Sequence, residues 1–352
     1  MIVAHLDLDA FYAAVEELEN PELREQPLVV GGDPRAGGLV ATANYVARRF
    51  GIHSAMSCAE AIRRCPQAVF VRPRHSLYRE YSQNVWETVR GIVPTVEQTG
   101  MDEGYLDVGE VARDFLAARV VAEAVQTAVR AATSLTCALG VAPCKVVAKV
   151  ASDARKPGGL VVVPAGREAA FLAPLAVRRL PGVGPRAEER LHATGIATIG
   201  ELAALTDTDL RRLLPGSVGT MLRDRARGID PRELELDTER ISISVENTFE
   251  RDIADREQLH DELRGMANEV AGALQRRGQV ARTVTTKLRY ADFSIRSRST
   301  SLATGIDSPQ TIGELACQLL DRGLSDRPGA LRLVGVGVSG LADFRQLALD
   351  AV

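Results

Sequence analysis

Three acidic residues could together hold metal ions and support phosphoryl transfer. Asp7 lies in the segment LDLDAF, and Asp102 and Glu103 are adjacent in the segment MDEGYLD. Carboxylates that converge repel one another unless a cation lies between them, and all-oxygen ligands favour Mg²⁺ or Mn²⁺ over Zn²⁺. Two such ions about 3.5–4 Å apart can activate an attacking hydroxyl and stabilise a leaving oxygen. Acids at strand ends are also common as solvated turn residues, so the prediction depends on whether the fold brings these three together.

The predicted order of strands and helices does bring them together. The pattern of apolar residues predicts, in order, strand 2–8, helix 10–18, helix 75–92, strands 96–101 and 105–108, helix 111–132, strand 135–141 and helix 145–154. If the short elements from about 11 to 73 are an insertion, the order is β-α-β-β-α-β, a ferredoxin-like sheet. In that topology the first and third strands are antiparallel neighbours. Asp7 is therefore expected beside Asp102 and Glu103, although about 95 residues separate them.

A second group of residues suits the binding of phosphate. Thr42, Tyr45 and Arg48 lie at a predicted helix start, where free amides, hydroxyls and an arginine form a good anion site. Lys156 lies where a helix gives way to the turn KPGG and could add a point charge. Each of these residues alone would fit a surface hydrogen bond or ion pair equally well. The chain has only four lysines, three of them between positions 145 and 156, which is either an accident of composition or a site that needs compact ammonium groups.

The rest of the chain has a different character. Residues 166–230 are predicted to be helical with short loops, and LPGVGP separates two helical patterns. A polar, acidic linker over 231–241 precedes a second α/β module over 242–343. The segment from 276 to 298 contains seven basic residues and only one acidic residue, Asp292. A run of charged residues is usually a solvated surface, and the net charge of −3 argues weakly against a nucleic-acid partner. The concentration of positive charge in this segment nevertheless favours binding to the DNA backbone.

Five segments resemble, in order and spacing, those of the Y-family translesion DNA polymerases. They are LDLDAFYAAVE, ATANYVARRFGIHSAM, MDEGYLDVG, GVAPCKVVAKVASDARKPGG and LPGVGPRAEERL, and the resemblance spans essentially the whole chain. It implies an α/β multidomain (α+β) right-hand polymerase. The implied parts are a ferredoxin-like palm (1–10 and 74–165), small fingers (11–73), a helical thumb with a helix-hairpin-helix (166–230), a linker (231–241), an α/β little finger (242–343) and a C-terminal tail (344–352).

The resemblance also implies roles for residues of the active site. Asp7, Asp102 and Glu103, with the Leu8 carbonyl, would hold two Mg²⁺ ions, with Mn²⁺ able to substitute. Tyr45, Arg48 and Lys156 would hold the triphosphate of a dNTP, assisted by Thr42 and the amides of Phe11 and Tyr12. Tyr12 occupies the steric-gate position, where an aromatic ring excludes the 2′-hydroxyl of a ribonucleotide. Asp9 and Asp107 are expected to be structural acids.

Primer-template DNA and a sliding clamp are the implied macromolecular partners. The expected DNA contacts are the glycine amides of the thumb and basic residues of the little finger: Gly182, Gly184, Arg282, Lys287, Arg289, Arg296 and Arg298. The tail residues Gln346, Leu347 and Leu349 resemble a clamp-binding peptide, although Ala351 stands where a larger apolar residue is usual, and an unstructured tail is the alternative.

The implied function is low-fidelity, DNA-templated synthesis past damaged bases. Two alternatives remain open at this point: a non-catalytic DNA-binding or clamp-associated repair factor, and a sugar-nucleotide transferase with a DxD motif. Three departures from the family pattern stand out, namely Gly100 in place of serine, Gly104 in place of alanine, and an acidic linker. None removes a catalytic group.

The remaining features suggest a monomeric cytoplasmic protein. No signal peptide and no apolar run of membrane-spanning length is recognisable. The five cysteines form no CxxC pair, which favours buried reduced thiols over a zinc site or disulfides, and the five histidines are scattered, which favours ordinary structural or surface roles.

Overall fold

The computed structural model describes residues 1–35, 38–214, 216–236 and 240–343, and the chain divides into two compact units, Met1–Leu236 and Asp237–Val352. In chain order, the first unit contains β1 (Val3–Leu8), α1 (Phe11–Glu19), β2 (Leu28–Gly31), β3 (Val40–Ala43), α2 (Tyr45–Arg48), α3 (Cys58–Arg64), β4 (Val69–Val71), α4 (His75–Arg90), β5 (Val96–Gln98), β6 (Glu103–Asp107), α5 (Phe115–Thr133), β7 (Cys137–Ala142), α6 (Lys145–Asp153), β8 (Leu160–Val162), α7 (Glu168–Leu172), α8 (Pro185–His192), α9 (Ile199–Ala203), α10 (Asp207–Leu213) and α11 (Ser217–Ala226).

The main sheet of this unit has the predicted topology. Its strand order is β5-β6-β1-β7-β8, with β1 antiparallel to both β6 and β7. The ferredoxin-like order is therefore confirmed, and β8, which was not predicted, extends the sheet in parallel with β7. Helices α4 and α5 bury apolar faces that include Trp86 and Val125 against the core.

The turn before the acidic pair is longer than predicted. The strand expected over 96–101 ends at Gln98, and the next strand begins at Glu103 instead of residue 105. The carbonyl of Met101 accepts hydrogen bonds from Ser82 Oγ at 2.6 Å and from Trp86 Nε1 at 3.1 Å. Because α4 holds this carbonyl, it is not available to a strand ladder, and Asp102 lies in the turn just before β6.

The segment between β1 and α4 forms a small separate layer. Strand β2 pairs with β3 and with β4, and a compact core of its own includes Ile52 and Cys58. Helix α3 and strand β4 were not predicted. The Asn44 side chain fixes the start of α2, because its Oδ1 accepts hydrogen bonds from the amides of Ala47 and Leu28.

The acidic stretch after α11 is not a free linker over its first half. Lys145 Nζ contacts the carbonyl of Glu233 at 3.3 Å, and the amide of Glu235 donates to Glu97 Oε2 at 2.9 Å. Leu234 packs on an apolar cluster shared with α6. Residues 231–236 therefore belong structurally to the first unit.

The second unit is a four-stranded antiparallel sheet with two helices on one face. Its elements are β9 (Ser242–Ile253), α12 (Arg256–Gln275), β10 (Gln279–Tyr290), β11 (Ile295–Ile306), α13 (Pro309–Asp326) and β12 (Leu331–Asp343), with strand order β11-β10-β12-β9. This confirms the predicted α/β module with two helices.

Two further features concern the whole described chain. All five cysteines are free thiols and buried, as predicted. None of the helices in the described ranges combines the length and apolar character needed to cross a bilayer.

Candidate active site

The three predicted acids meet at one end of the central sheet. In the antiparallel pairing of β1 with β6, Asp7 lies directly opposite Glu103. The amide of Leu8 donates to the carbonyl of Asp102 at 2.9 Å, so Asp102 continues this pairing by one residue. The juxtaposition predicted from the order of elements is therefore confirmed.

The environment of Asp7 and Asp102 disfavours their negative charge. Burial raises the pKa of Asp7 to about 6, and Asp102 adds to the rise, whereas Lys156 opposes it. Burial, followed by the neighbouring charge of Glu103, also raises the pKa of Asp102. Two lysines partly compensate: Lys156 Nζ lies 2.7 Å from Asp7 Oδ2, and Lys149 Nζ contacts Glu103 Oε2.

The chemistry of this cluster fits a divalent cation. Asp7, Asp102, Glu103 and the Leu8 carbonyl offer only oxygen atoms, which Mg²⁺ and Mn²⁺ prefer. Within the described ranges, no three His, Cys, Asp or Glu side chains are arranged to hold a metal ion, and two of the three acids contact lysines instead. Asp7 and Asp102 are half-buried acids with raised pKa values, and a divalent ion would relieve their repulsion.

The predicted phosphate-binding residues lie beside this cluster. Tyr45 Oη donates to Asp9 Oδ1 at 3.3 Å, and the amide of Gly158, two residues after Lys156, donates to Asp9 Oδ2 at 2.8 Å. Asp9 thus joins the start of α2 to the loop that carries Lys156, which matches the structural role expected of it. Arg48 lies over the Tyr45 ring, with its Cζ 4.8 Å from the ring centroid. Thr42 is half-buried at the end of β3.

Tyr12 is held in a fixed orientation near the acids. Its ring stacks on that of Tyr78 with centroids 4.2 Å apart and planes 15° apart. Tyr78 is fully buried, and its hydroxyl donates to Glu16 at 2.5 Å. Burial raises the pKa of Tyr12, and the charge of Asp102 adds to the rise. Phe11, by contrast, is a core residue with 2% exposure, although its amide and that of Tyr12 lie in the first turn of α1, where amides have no intrahelical partner.

Sequence reasoning assigned no role to His5 and Lys149, which lie beside Glu103, or to Ser152, which contacts His5. His5 is completely buried on β1, two residues before Asp7 and therefore on the same face of the strand. Its Nδ1 is 2.8 Å from Ser152 Oγ, and its Nε2 is 3.4 Å from Lys149 Nζ. The grouping of lysines was the available signal, but it did not indicate which lysine contacts which acid.

Comparison with known proteins identifies the family. The family models that match are the impB/mucB/samB family at residues 6–153, its C-terminal domain at 240–349, and the thumb domain of DNA polymerase iota at 178–230. A Y-family DNA polymerase chimera of Dbh and Dpo4 segments has a TM-score of 0.88 and 26% identity, covering 97% of this chain and 100% of that one. The chain belongs to the Y family of DNA polymerases.

Its relatives agree on the activity of this Y-family member. DNA polymerase IV of Streptomyces coelicolor is 43% identical, covering 99% of this chain and 73% of that protein. DNA polymerase IV of Alkalilimnicola ehrlichii is 41% identical over 99% of this chain and 98% of its own length. The chain is accordingly a DNA-directed DNA polymerase of the translesion class with a right-hand fold, and a non-catalytic repair factor or a sugar-nucleotide transferase is not favoured. Y-family membership implies a general dependence on divalent metal ions.

The thumb turn of this Y-family polymerase positions its amides with two glycines. Gly182 has φ of +104°, and a Cβ there would lie 3.0 Å from Leu222 Cδ2. Gly184 precedes α8, and Arg225 Nη1 holds the turn by donating to the carbonyl of Pro181 at 3.0 Å. The helical pattern predicted before this turn forms two short pieces, α7 and a 3₁₀ turn at Val177–Arg179.

The basic residues expected to bind DNA divide between the two faces of the sheet of the second unit. Strand register pairs Arg296 with Leu288 and Arg298 with Thr286, and these two partners are completely buried beneath the helices. Arg298 also contacts Asp326 of α13 through its Nη2 at 2.5 Å. Lys287 and Arg289 alternate with those buried residues and so lie on the open face. Arg282 is exposed beside Gly340, at an irregularity in the ladder.

The open face is lined by small hydroxyl-bearing residues. Cross-strand register gives three rows: Ser301–Thr283–Ser339–Ser242, Ser299–Thr285–Gly337–Ser244 and Ser297–Lys287–Gly335–Glu246. Both oxygens of Glu246 lie within 2.9 Å of Lys287 Nζ. The face therefore combines hydroxyl donors, two basic side chains and one carboxylate.

The predicted clamp-binding residues Gln346, Leu347 and Leu349 lie outside the described residues.

Proposed function

We propose that this polymerase joins a dNTP to a primer 3′-hydroxyl by two-metal-ion nucleotidyl transfer, with Asp7, Asp102, Glu103 and the Leu8 carbonyl as ligands of two Mg²⁺ ions, for which Mn²⁺ can substitute. The observation that carries the proposal is the register of β1 and β6, which places Asp7 opposite Glu103 and next to Asp102. Bound divalent ions would neutralise the charge of the phosphates and of the attacking and leaving oxygens. The remaining catalytic contribution is positioning by the protein.

Residues beside the acids supply this positioning. Tyr45, Arg48 and Lys156, with Thr42 and the first-turn amides at Phe11 and Tyr12, bind the triphosphate. Lys156 supports this role because its ammonium already lies between two carboxylates, Asp7 and Asp153, at 2.7 Å from each. A triphosphate that reaches this cluster would meet a positive charge at the edge of the acid site.

The Tyr12 ring excludes the 2′-hydroxyl of a ribonucleotide, and its stacking on Tyr78 supplies the rigidity that such a gate needs. Of the small residues expected to leave the new base pair loosely covered, only Ala41 is exposed, because Ala43 and Ala47 are buried in the core of the small layer between β1 and α4. Loose cover accounts for low fidelity and for tolerance of damaged templates.

DNA is held by two sets of contacts that do not depend on base sequence. The thumb offers the amides near Gly182 and Gly184, and the little finger offers basic residues, of which Lys287 and Arg289 on the open face are best placed. A solved neighbour described as the insertion ternary complex of Dbh DNA polymerase, with a TM-score of 0.70 and 26% identity, supports binding of primer-template DNA and nucleotide. Further contacts with DNA at the edges of this surface come from Arg282, Arg296 and Arg298.

The domain boundaries and the clamp contact complete the proposal. The palm comprises 1–10 and 74–165, the fingers 11–73, the thumb 166–230 and the little finger 242–343. The tail peptide around Gln346, Leu347 and Leu349 docks on a sliding clamp, and the enzyme acts as a monomer. Primer extension with and without clamp tests the tail, and extension over damaged templates tests the choice of lesions.

The decisive test of the metal site is primer extension by the variants Asp102→Asn and Glu103→Gln. Each should lower the rate by at least about 100-fold, because each removes a charged ligand at the reacting phosphate. Asp107→Asn is the matched control, since Asp107 lies at the other end of β6, where its Oδ1 accepts a hydrogen bond from the amide of Gly109. Near-normal extension by either acid variant would show that the metal assignment is wrong.

A further inference from the structure

Each of the three lysines between positions 145 and 156 contacts a different acid. Lys145 pairs with Glu97, Lys149 with Glu103, and Lys156 with Asp7 and Asp153. Lys145 is a buried architectural residue, and Lys156 belongs to the proposed triphosphate site. Lys149 remains without a role, although it contacts an acid of the proposed metal site.

The hydrogen bonds around Lys149 determine the direction of each donor. Ser152 Oγ donates to the carbonyl of Lys149 at 2.8 Å, so its oxygen is left to accept the hydrogen of His5 Nδ1 at 2.8 Å. With its hydrogen on Nδ1, a neutral His5 presents the lone pair of Nε2 to the Lys149 ammonium 3.4 Å away.

This arrangement leaves the ammonium with two acceptors that fix its position. One is Nε2 of the fully buried His5, and the other is the carboxylate of Glu103. His5 Nε2 lies 3.6 Å from Glu103 Oε2 and has no hydrogen to donate, so the lysine alone joins the two. His5 also packs edge-on against Tyr105, at 4.8 Å between ring centroids, which restricts rotation of the imidazole.

We propose that Lys149 is a positioning residue for Glu103: His5 and Ser152 aim its ammonium, and the ammonium holds the Glu103 carboxylate beside Asp7 and balances its charge before divalent ions bind. The inference rests on the proposed function of Glu103. Lys149 is held against the acid and not against the proposed triphosphate site. Its loss should therefore affect turnover more than nucleotide binding.

The first test uses Lys149→Met, with Lys149→Arg as the conservative variant. We expect kcat of Lys149→Met to fall by roughly 10- to 100-fold, because small displacements of reacting groups cost about that much. KM for the dNTP should stay within about twofold, and Lys149→Arg should recover part of the lost kcat. An unchanged kcat, or a loss confined to KM, would overturn the proposal.

A second readout does not depend on activity. Without Lys149, the acids repel one another more strongly in the metal-free protein, so added Mg²⁺ should raise the melting temperature of Lys149→Met by about 2–4 °C more than that of the wild type. If Lys149 only filled space, its replacement by methionine would lower the melting temperature by the same amount with and without Mg²⁺. Equal Mg²⁺-induced shifts would contradict the charge-balancing role.

A double-mutant cycle tests the chain of contacts from Ser152. Ser152→Ala should lower kcat in the wild-type background and have little further effect in Lys149→Met, because Ser152 acts only through the lysine. Additive losses would refute this coupling. If Asp102→Asn and Glu103→Gln are inactive while Lys149→Met is normal, this inference alone fails; if those acid variants are active, the proposed metal site fails with it.

Discussion

The ammonium of Lys156 lies 2.7 Å from the carboxylate of Asp7, so a residue proposed to hold the triphosphate is paired with a residue proposed to hold metal. Asp153 shares the same ammonium at 2.7 Å. The pairing stabilises the negative charge of Asp7, yet burial still outweighs it and raises the pKa of Asp7 to about 6. In the absence of divalent ions, this acid cluster is a source of instability at neutral pH.

The first prediction concerns the stability of the metal-free protein as a function of pH. The pKa of Asp7 rises from 3.8 to about 6 on folding, so the folded state binds a proton more tightly than the unfolded state. The resulting stabilisation is present below pH 3.8 and is lost as the pH rises through about 6. The side chain of Asp7→Asn stays neutral, so the variant does not lose this stabilisation as the pH rises. In EDTA at pH 7.5 its free energy of unfolding should exceed that of the wild type by up to about 3 kcal/mol.

Urea unfolding of both proteins between pH 4.5 and 7.5 measures this difference. The advantage of Asp7→Asn should grow as the pH rises, and Mg²⁺ should stabilise the wild type more than the variant. A stability difference that is the same at both ends of the pH range would contradict the account of Asp7.

The second prediction concerns the choice of sugar. Tyr12→Ala should lower the preference for dNTP over the matching ribonucleotide by about 5- to 150-fold, since crowding an extra group into a packed site costs about 1–3 kcal/mol. Tyr12→Phe keeps the ring stacked on Tyr78 and should keep the preference. The measurement is the ratio of kcat/KM values in single-nucleotide incorporation, and unchanged selectivity in Tyr12→Ala would reject the gate.

Much of the palm could be predicted from sequence, because strong apolar periodicity and the order of elements together determine which strands are neighbours. The meeting of Asp7 with Glu103 followed from that order. The roles of His5 and Ser152 did not follow from that order, because a single histidine and a single serine form no sequence pattern. They come into contact only where α6 packs on β1. The division of Lys287 and Arg298 between two faces likewise depends on strand register, which alternation alone could not establish across an irregular ladder.

The third prediction concerns Gly104, where the family pattern has alanine. A Cβ at this position would lie 2.7 Å from both the carbonyl oxygen of Glu97 and Cη2 of Trp86. Trp86 is buried and hydrogen-bonded to Met101, so it cannot move aside easily. Gly104→Ala should cost about 1–3 kcal/mol of unfolding free energy.

Gly100→Ala is the control for this substitution, because its nearest new contact would be the flexible carboxylate of Asp102 at 3.3 Å. It should leave the melting temperature almost unchanged. Equal melting temperatures for the two variants would show that the packing around Trp86 adapts.

The fourth prediction separates the two faces of the little finger. Lys287→Ala and Arg298→Ala each remove one positive charge, but only Lys287 lies on the open, hydroxyl-lined face. Lys287→Ala should weaken DNA binding and reduce the slope of log K against log salt by about 0.9, whereas Arg298→Ala should change both much less. Fluorescence anisotropy across a salt series measures both quantities, and equal losses would place DNA on both faces.

The fifth prediction follows from the ion pair of Lys287 with Glu246. Glu246→Gln removes a carboxylate that competes with phosphate for the ammonium, so DNA should bind more tightly and with a steeper salt dependence. Glu314→Gln, on α13 of the same unit, is a charge-matched control on a helix, where Glu314 accepts a hydrogen bond from Gln310. No gain in affinity over that control would show that the pair does not oppose DNA.

The scarcity of lysine gives this protein an unusual suitability for spectroscopy. Its four ε-amino groups each neighbour a different carboxylate. Reductive ¹³C-methylation retains the positive charge of lysine, so the four tagged lysines would yield four resonances beside that of the N-terminal amine. Three of them would monitor the palm and one the surface of the little finger, allowing cation loading and duplex engagement to be followed in a single sample.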